Sequence, residues 1–166
     1  MKIYYREKSG GIEILRCFGI ESRVEIPGMI DDKLVISAAP YAFSSHMDEK
    51  EELKNASLWE VSDGLEFGRE EHVLAGNDVE EIVFFYFLKE IGRYIVYGCG
   101  NLKKLEFSDS LMQIGCGAFT GCHALEKLTV HMRQGKKSGV KEMLGEMWQR
   151  IDVNFLYAYE EARLVF

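Results

Sequence analysis

The sequence predicts an α+β protein, a short solenoid of about four stacked repeats with a different cap at each end. Three observations favour this fold. One region of the 166-residue chain resembles itself when shifted by 23 residues, a strand-turn-strand pattern precedes it, and a helical pattern follows it. Since a single repeat buries its apolar residues only against its neighbours, we expect one continuous domain over residues 1–166.

Residues 1–19 have the pattern of a β-hairpin. Two strand-like segments, Lys2–Glu7 and Ile12–Cys17, are separated by Lys8-Ser9-Gly10-Gly11. A short glycine-containing connection between two such segments favours a hairpin. An uncovered apolar end of a solenoid would pair with other chains, so we expect this hairpin to cap the N-terminal end of the stack.

The regular repeats lie between residues 79 and 131. Segments 79–101 and 102–124 share six identical positions, and a third copy begins at Leu125. The identical pairs are Phe84/Phe107, Leu88/Leu111, Ile91/Ile114, Gly92/Gly115, Gly98/Gly121 and Cys99/Cys122. A degenerate copy occupies residues 20–46, with about five extra residues around Asp31 to Val35. We call each turn of the predicted solenoid a rung.

Each rung begins with a Leu-x-x-Leu-x-Phe pattern, which predicts a short strand with alternate residues on one side. Stacked copies would bury like residues in columns. The predicted columns are Ile82, Leu105 and Leu128, then Phe84, Phe107 and Val130, with Val24 and Ile26 as further members. The Ile-Gly step that follows is expected to turn the chain, because glycine tolerates left-handed conformations.

One string carries the most specific form of the repeat. It runs Leu105-Glu106-Phe107…Leu111…Ile114-Gly115…Ala118-Phe119…Cys122…Leu125…Leu128. This string resembles the BspA-type leucine-rich repeat, strongly over residues 79–130 and weakly over 20–46, where Ala38-Ala39 replaces Ile-Gly. The resemblance implies a leucine-rich-repeat solenoid that binds proteins, since members of this family are often surface proteins that bind host or neighbouring-cell proteins.

The outward side chains of the predicted strands form a possible partner-binding surface, which we call the strand face. It comprises Arg23, Glu25, Glu81, Val83, Lys104, Glu106, Lys127 and Thr129. In register, Glu81 should lie beside Lys104 on the neighbouring strand. Solenoids commonly bind partners on their strand surface, but a merely solvated sheet face is an equally good interpretation of the pattern.

Residues 47–78 are expected to form an acidic insertion between the degenerate and the regular repeats. This segment has ten acidic and three basic residues, so its charge of −7 equals that of the whole chain. The remaining residues are balanced in charge, and no basic field favours nucleic acid or an anionic membrane. A solvated segment is the expected structure, with attraction of a basic partner as the alternative.

Residues 138–166 are expected to cap the C-terminal end. Val140, Met143, Leu144, Met147, Trp148 and Ile151 have the spacing of one helix face. Ser138 is the predicted N-cap, and a core-facing helix is favoured over a partner-binding one. Two strands, over Val153–Tyr159 and Ala162–Phe166, are expected to follow as a second hairpin.

The sequence predicts no catalytic, cofactor-binding or metal-binding residue. His46 lies near Ser44 and Asp48, but the nucleophile-elbow motif is missing and adjacency in sequence is not triad geometry. The four cysteines are Cys17, Cys99, Cys116 and Cys122, which do not have the paired spacing of a zinc ribbon. We expect reduced thiols, with Cys99 and Cys122 buried one rung apart.

A non-enzymatic adaptor or scaffold is therefore the expected function, with a protein partner and no cofactor. The N-terminus has no apolar signal-peptide segment, and the longest apolar run, Ile82 to Leu88, is too short to span a membrane. A cytoplasmic location follows if Met1 is the native start, with the cell surface as the alternative. Two other functions remain open: a structural repeat module of a longer or adhesin-like protein, and an enzyme with a site in the irregular flanks.

Overall fold

The computed structural model describes residues 1–46, 53–60, 71–133 and 137–157. Its strands are β1 (Lys2–Lys8), β2 (Gly11–Gly19), β3 (Arg23–Ile26), β4 (Met29–Ile30), β5 (Lys33–Ala38), β6 (Ser57–Glu60), β7 (His72–Val73), β8 (Glu81–Phe84), β9 (Glu90–Ile91), β10 (Lys104–Ser108), β11 (Gln113–Ile114), β12 (Lys127–Met132) and β13 (Asp152–Tyr157). The helices are α1 (Lys137–Leu144) and α2 (Met147–Arg150), and a 3-10 turn covers Gly76–Asp78.

The first sheet is the row of rung strands that the repeat predicts. Five parallel strands lie in the order β13-β12-β10-β8-β3. Leu105 pairs in register with Ile82 on one side and Leu128 on the other, and Val24 pairs with Ile82. The predicted columns are therefore confirmed. Strand β13 adds a fifth rung strand to the expected four, and its Val153 continues the column beside Leu128.

The second sheet closes the other side of the first three rungs. Strands β5, β9 and β11 run parallel, with Ala38 beside Ile91 and Ile91 beside Ile114. Ala38 thus takes the isoleucine position in the degenerate first rung, as its place in the repeat predicts. The core lies between the two sheets and includes the fully buried Phe43 and Phe107.

The Ile-Gly step has a different physical basis from the one expected. Gly92 and Gly115 are not among the residues with positive φ. A Cβ on Gly115 would instead lie 2.2 Å from the Arg93 nitrogen, and one on Gly92 would lie 2.4 Å from the Pro40 nitrogen. Neighbouring rungs therefore touch backbone to backbone at this step, and glycine is required because a side chain has no space.

The N-terminal hairpin is confirmed, and it extends the second sheet. Strand β1 pairs antiparallel with β2, and β2 runs parallel to β5 of the first rung. The fully buried Arg16 on β2 donates hydrogen bonds from Nη1 to the carbonyls of Tyr41 (2.8 Å) and Ala42 (3.1 Å). A buried guanidinium thus fastens the hairpin to the first rung.

The extra residues of the first rung form a small hairpin of their own. Strands β4 and β5 pair antiparallel across Asp31 and Asp32, whose φ angles are 48° and 61°. Two successive residues with positive φ are the signature of a type I′ hairpin turn. Tyr5 on β1 donates its hydroxyl hydrogen bond to Asp31, which raises the pKa of Tyr5.

The predicted acidic insertion lies partly outside the described residues, since 47–52 and 61–70 are not among them. The described parts belong to the second sheet. Strand β6 pairs antiparallel with β1, and β7 pairs antiparallel with β2. At these places the segment is ordered structure attached to the hairpin.

The C-terminal cap departs from the sequence prediction in two respects. The single expected helix is broken at Gly145, where φ is 53°, and α1 already includes Ser138, which is therefore not its N-cap. Val140 and Leu144 are buried, as a core-facing helix requires. Strand β13 pairs parallel with β12, because the helical crossover returns the chain to its starting side. The hairpin expected between this strand and the next involves residues outside those that the structure describes. The second expected strand, Ala162–Phe166, lies outside the described residues.

Candidate functional site

The strand face consists of two rows of side chains that cross the first sheet. The first row is Arg23, Glu81, Lys104 and Lys127, and β13 adds Asp152 beside it. The second row is Glu25, Val83, Glu106 and Thr129, and β13 adds Asn154. The structure therefore brings the eight predicted residues together on one surface, in the register that the repeat implies.

Ion pairs connect the first row. Glu81 accepts hydrogen bonds from Arg23 Nη1 at 2.5 Å and from Lys104 Nζ at 3.2 Å, and Arg23 Nε also contacts Glu25 at 3.0 Å. Burial raises the pKa of Glu81, but the hydrogen bonds from Arg23 and Lys104 outweigh it and hold that pKa below its usual range. Lys127 has no ion pair with any residue that the structure describes, although Asp152 is its register neighbour.

The second row is less accessible than its outward register suggests. Val83 exposes only 4% of its surface and Thr129 only 8%. Glu25 and Glu106 flank Val83 on the two neighbouring strands. Since these longer side chains stand on both sides, the short ones contribute little contact area. The accessible chemistry of the strand face is therefore mainly that of its charged residues.

An aromatic and basic cluster, which the repeat pattern does not reveal, lies at the carboxyl ends of the rung strands. The Arg133 guanidinium carbon lies 3.3 Å from the centre of the Tyr86 ring, a close cation–π contact. His131 packs edge-on against Tyr86, and its Nε2 lies 3.0 Å from Glu106 Oε2. This hydrogen bond from His131 holds the pKa of Glu106 below its usual range. Tyr86 and Arg133 follow their strands, where the repeat no longer fixes the direction of a side chain, whereas His131 lies near the end of β12.

A polar cavity of about 440 Å³ opens on the outer side of the second sheet. Lys8 Nζ lies 2.6 Å from Glu90 Oε2 and 3.5 Å from Glu13 Oε1, and Glu90 raises the pKa of Lys8. Glu13 is only 5% exposed and also pairs with Arg6. The cavity is therefore lined by charges that already neutralise each other.

An apolar groove of about 580 Å³ lies between the third rung and the two helices, and we call it the end groove. Its apolar lining comprises Ile114, Phe119, Leu125, Met143, Met147 and Ile151. Exposed Cys116 and Arg150 also border it. More than half of the surface that lines the groove is apolar.

The cysteines follow the predicted reduced state, with one difference in burial. All four are free thiols; Cys17 and Cys99 are buried, but Cys122 is only half-buried and Cys116 is exposed. Cys99 and Cys122 donate equivalent hydrogen bonds to the carbonyls of Phe43 (3.2 Å) and Val96 (3.1 Å). Burial raises the pKa of Cys99 to about 11 and those of Cys17 and Cys122 to about 12.

Catalytic and metal chemistry have little support in the described ranges. The backbone N–H of His46 donates to Ser44 Oγ, while its exposed ring packs against Tyr97. Over residues 1–46, 53–60, 71–133 and 137–157, no three His, Cys, Asp or Glu side chains converge as a metal site. In the same ranges, no helix has the length and apolar character needed to cross a membrane.

The parallel rung strands, the buried leucine and phenylalanine columns and the backbone contact at Ile-Gly define a leucine-rich-repeat solenoid. Residues 70–139 match the family model described as BspA type leucine rich repeat region (6 copies). This stretch of the chain is therefore similar to BspA-type leucine-rich repeat regions. The degenerate first rung lies outside the match but stacks on the others through β3 and β5. Comparison with curated proteins and with solved structures gave no match.

Proposed function

We propose that this protein is a non-catalytic interaction module that binds a partner protein through the strand face. One observation carries the proposal: a five-stranded parallel sheet aligns charged side chains of both signs in register across its outer surface. Regular, rigidly spaced side chains on a sheet are suited to recognising an extended protein surface, which is how stacked repeats generally bind.

The charges of the strand face favour a protein over a polyanion. Its three cations, Arg23, Lys104 and Lys127, are balanced by three carboxylates, Glu25, Glu81 and Glu106. A surface without net positive charge has no general attraction for nucleic acid or anionic lipid. Alternating charges instead select a partner with the complementary pattern. Lys127 is the cation most available to a partner carboxylate, because it has no ion pair with the described residues.

The absence of a catalytic role is part of the same proposal. The clear pKa shifts of the described residues have structural causes, namely burial of thiols, ion pairs and the hydrogen bond between Tyr5 and Asp31. Functional sites usually combine such shifts with a shared cavity. Here Glu81 and Glu106 lie on an open sheet surface, and the buried Cys99 thiol lies inside the core.

Charge reversal on the strand face tests the proposal. The double variant Lys104→Glu and Lys127→Glu should lose the partner that the unmodified protein captures from its source-cell lysate, as identified by cross-linking mass spectrometry. Stability should change little, because the Lys104–Glu81 pair is partly exposed and such pairs contribute about 0–1 kcal/mol.

A matched control carries the same charge change elsewhere. Lys54 and Lys89 are exposed and lie outside the strand face, so Lys54→Glu with Lys89→Glu should retain the partner. Equal capture by both double variants would contradict the proposed surface. A large loss of melting temperature in the first variant alone would mean that its lysines support the fold and that the surface has been assigned wrongly.

A further inference from the structure

Beyond their strands, successive rungs are joined by a row of backbone hydrogen bonds that repeats along the solenoid. In the second rung, alternate N–H groups donate to carbonyls of the third. These bonds run from Tyr94, Val96 and Gly98 to Cys116, Ala118 and Thr120, at 3.0–3.2 Å. The first rung uses the equivalent groups of Tyr41 and Phe43 in the same way. Conversely, the carbonyls of Lys89 and Ile91 accept bonds from the third rung.

The third rung has the same groups, but no further rung of the described residues receives them. The 23-residue repeat places Gly117, Phe119 and Gly121 at the donor positions, and Met112 and Ile114 at the acceptor positions. None of these five groups has a backbone partner among the residues that the structure describes. The N–H groups of Ala118, Thr120 and Cys122, which alternate with the three donors, are bonded within the rung, so the unused groups are those facing away from the second rung.

This row is uncovered because the repeat pattern breaks down within the copy that follows the third rung. Strand β11 ends the second sheet, because the chain beyond β12 forms α1 and α2 in place of a further strand. Helix α1 packs against β11 and α2 against β13, and the end groove remains between the two helices and the third rung. An unused row of backbone groups therefore lies next to an apolar wall of Phe119, Met143 and Met147.

We propose that this edge binds a short peptide segment of a partner protein, which pairs with the third rung as a further rung would and places apolar side chains in the end groove. Only a polypeptide supplies donors and acceptors at alternate residues together with apolar side chains. A compact apolar ligand would leave the backbone groups desolvated and unpaired, which is unfavourable for every such group. The proposed docking surface thus uses the same backbone hydrogen-bonding groups that join one rung to the next.

The charge at the groove favours an acidic residue in the peptide. Arg150 borders the groove, and Glu146, 3.7 Å away, is 91% exposed. Such an exposed pair is weak and can be exchanged for a carboxylate of a ligand. The preferred segment is thus apolar where it faces Met147 and acidic where it reaches Arg150.

A second copy of the chain does not fit this edge by stacking end to end. The matching edge would be the far side of the first rung, but β2 already pairs with β5 there. The Ala39 N–H donates to the Ile14 carbonyl at 2.8 Å, which fills the corresponding bond. The occupant must therefore be a segment other than a described rung of another copy.

The probe is a synthetic peptide that copies residues 112–122 with serine at both cysteine positions, because this sequence already adopts the rung conformation against the second rung. Its control replaces the positions of Ile114 and Phe119 by serine. We expect saturable binding of the first peptide in fluorescence anisotropy and at least about tenfold weaker binding of the control. In NMR hydrogen exchange, the amides of Gly117 and Gly121 should slow on binding, while that of Thr120 should not change.

Variants of the full chain separate groove binding from other contacts. Met147→Glu should weaken peptide binding at least about tenfold, since it places a charge in the apolar groove. Gln149→Glu adds the same charge on the exposed side of α2 and should bind as the unmodified protein does. The strand-face double variant should also bind normally, so failure here and failure of the proposed function are distinguishable.

Three results would overturn the inference. The first is no saturable binding of the peptide to the unmodified protein. The second is binding without slowed exchange at Gly117 and Gly121, which would mean apolar contact without backbone pairing. The third is slowed exchange of these amides that rises with protein concentration in the absence of peptide, since a second copy would then be the occupant.

Discussion

Adding a single methyl group at Gly115 should separate two rungs of the solenoid. The Cβ of Gly115→Ala would lie 2.2 Å from the Arg93 nitrogen and 2.7 Å from the Gly92 carbonyl carbon, both backbone atoms. Relieving these contacts moves the rungs apart by about 1 Å, since a packed backbone has no flexible end to displace. The Gly115 N–H to Ile91 carbonyl bond, 2.8 Å long, would then exceed hydrogen-bond range.

The loss of stability is the sum of two costs. Overpacking costs about 1–3 kcal/mol and the lost hydrogen bond about 1 kcal/mol, so we expect a destabilisation of about 2–4 kcal/mol. For a domain of this size each kcal/mol lowers the melting temperature by about 2–4 °C, so the expected decrease is about 5–15 °C. Backbone strain makes no contribution, because Gly115 is not among the residues with positive φ.

Gly139 provides the matched control. It lies in α1, and no atom comes within 4 Å of the position that an added Cβ would take, so Gly139→Ala should stabilise the helix by about 0.5–1 kcal/mol. Thermal and urea denaturation followed by circular dichroism compare the two variants. If Gly115→Ala unfolds within about 2 °C of the unmodified protein, the rungs are not in backbone contact and the explanation of the Ile-Gly step is wrong.

Three further predictions concern the thiols, the strand face and the core. In native protein, exposed Cys116 should be alkylated first, whereas buried Cys99, with its pKa of about 11, should react only after unfolding. A Cys99 disulfide found by peptide mapping of unoxidised protein would contradict the free, buried thiol. His131 lowers the folded-state pKa of Glu106, so the contribution of this pair to the free energy of unfolding is present above the usual glutamate pKa of about 4.3 and is lost as pH falls through the lowered value. In urea titrations at several pH values, Glu106→Gln should therefore flatten this part of the stability profile. An unchanged slope would argue against the pair. Leu105→Ala should cost about 2–5 kcal/mol in urea denaturation, because Leu105 is 1% exposed between two column neighbours, and a loss under about 1 kcal/mol would mean that the column is poorly packed.

The repeat predicted the first sheet well because two periods act together on it. Alternation fixes which side of a strand Leu105 occupies, and the 23-residue shift fixes which residues lie beside it. The strand-face residues Glu81 and Lys104 follow from the same two constraints, and they lie opposite each other in the structure. Their role in binding remains a prediction, since their position alone does not identify a partner.

Features outside the strands were harder to predict because no period constrains them. Arg133 reaches the Tyr86 ring from the segment after a strand, where the direction of a side chain depends on local backbone geometry. The helical spacing from Val140 to Ile151 is continuous, yet Gly145 breaks the helix by adopting positive φ. Arg16 lies within β2, but alternation does not predict the burial of a charged side chain; this position accepts it because its guanidinium donates to the carbonyls of Tyr41 and Ala42.

One pair of residues explains why the second sheet ends at the third rung while the first sheet continues. The third rung carries Ile114-Gly115, and 23 residues later the sequence has Lys137-Ser138. The columns continue through Leu128 on β12, so the first sheet extends beyond the third rung. At the Ile-Gly step, however, a side chain in place of Gly115 would meet the neighbouring backbone at 2.2 Å, and a serine at the next equivalent position faces the same restriction. A further strand of the second sheet is therefore disfavoured, and the chain forms α1 at that position while its strands continue to stack. The same loss of glycine accounts for the edge that is unpaired among the described residues, at which we propose peptide binding.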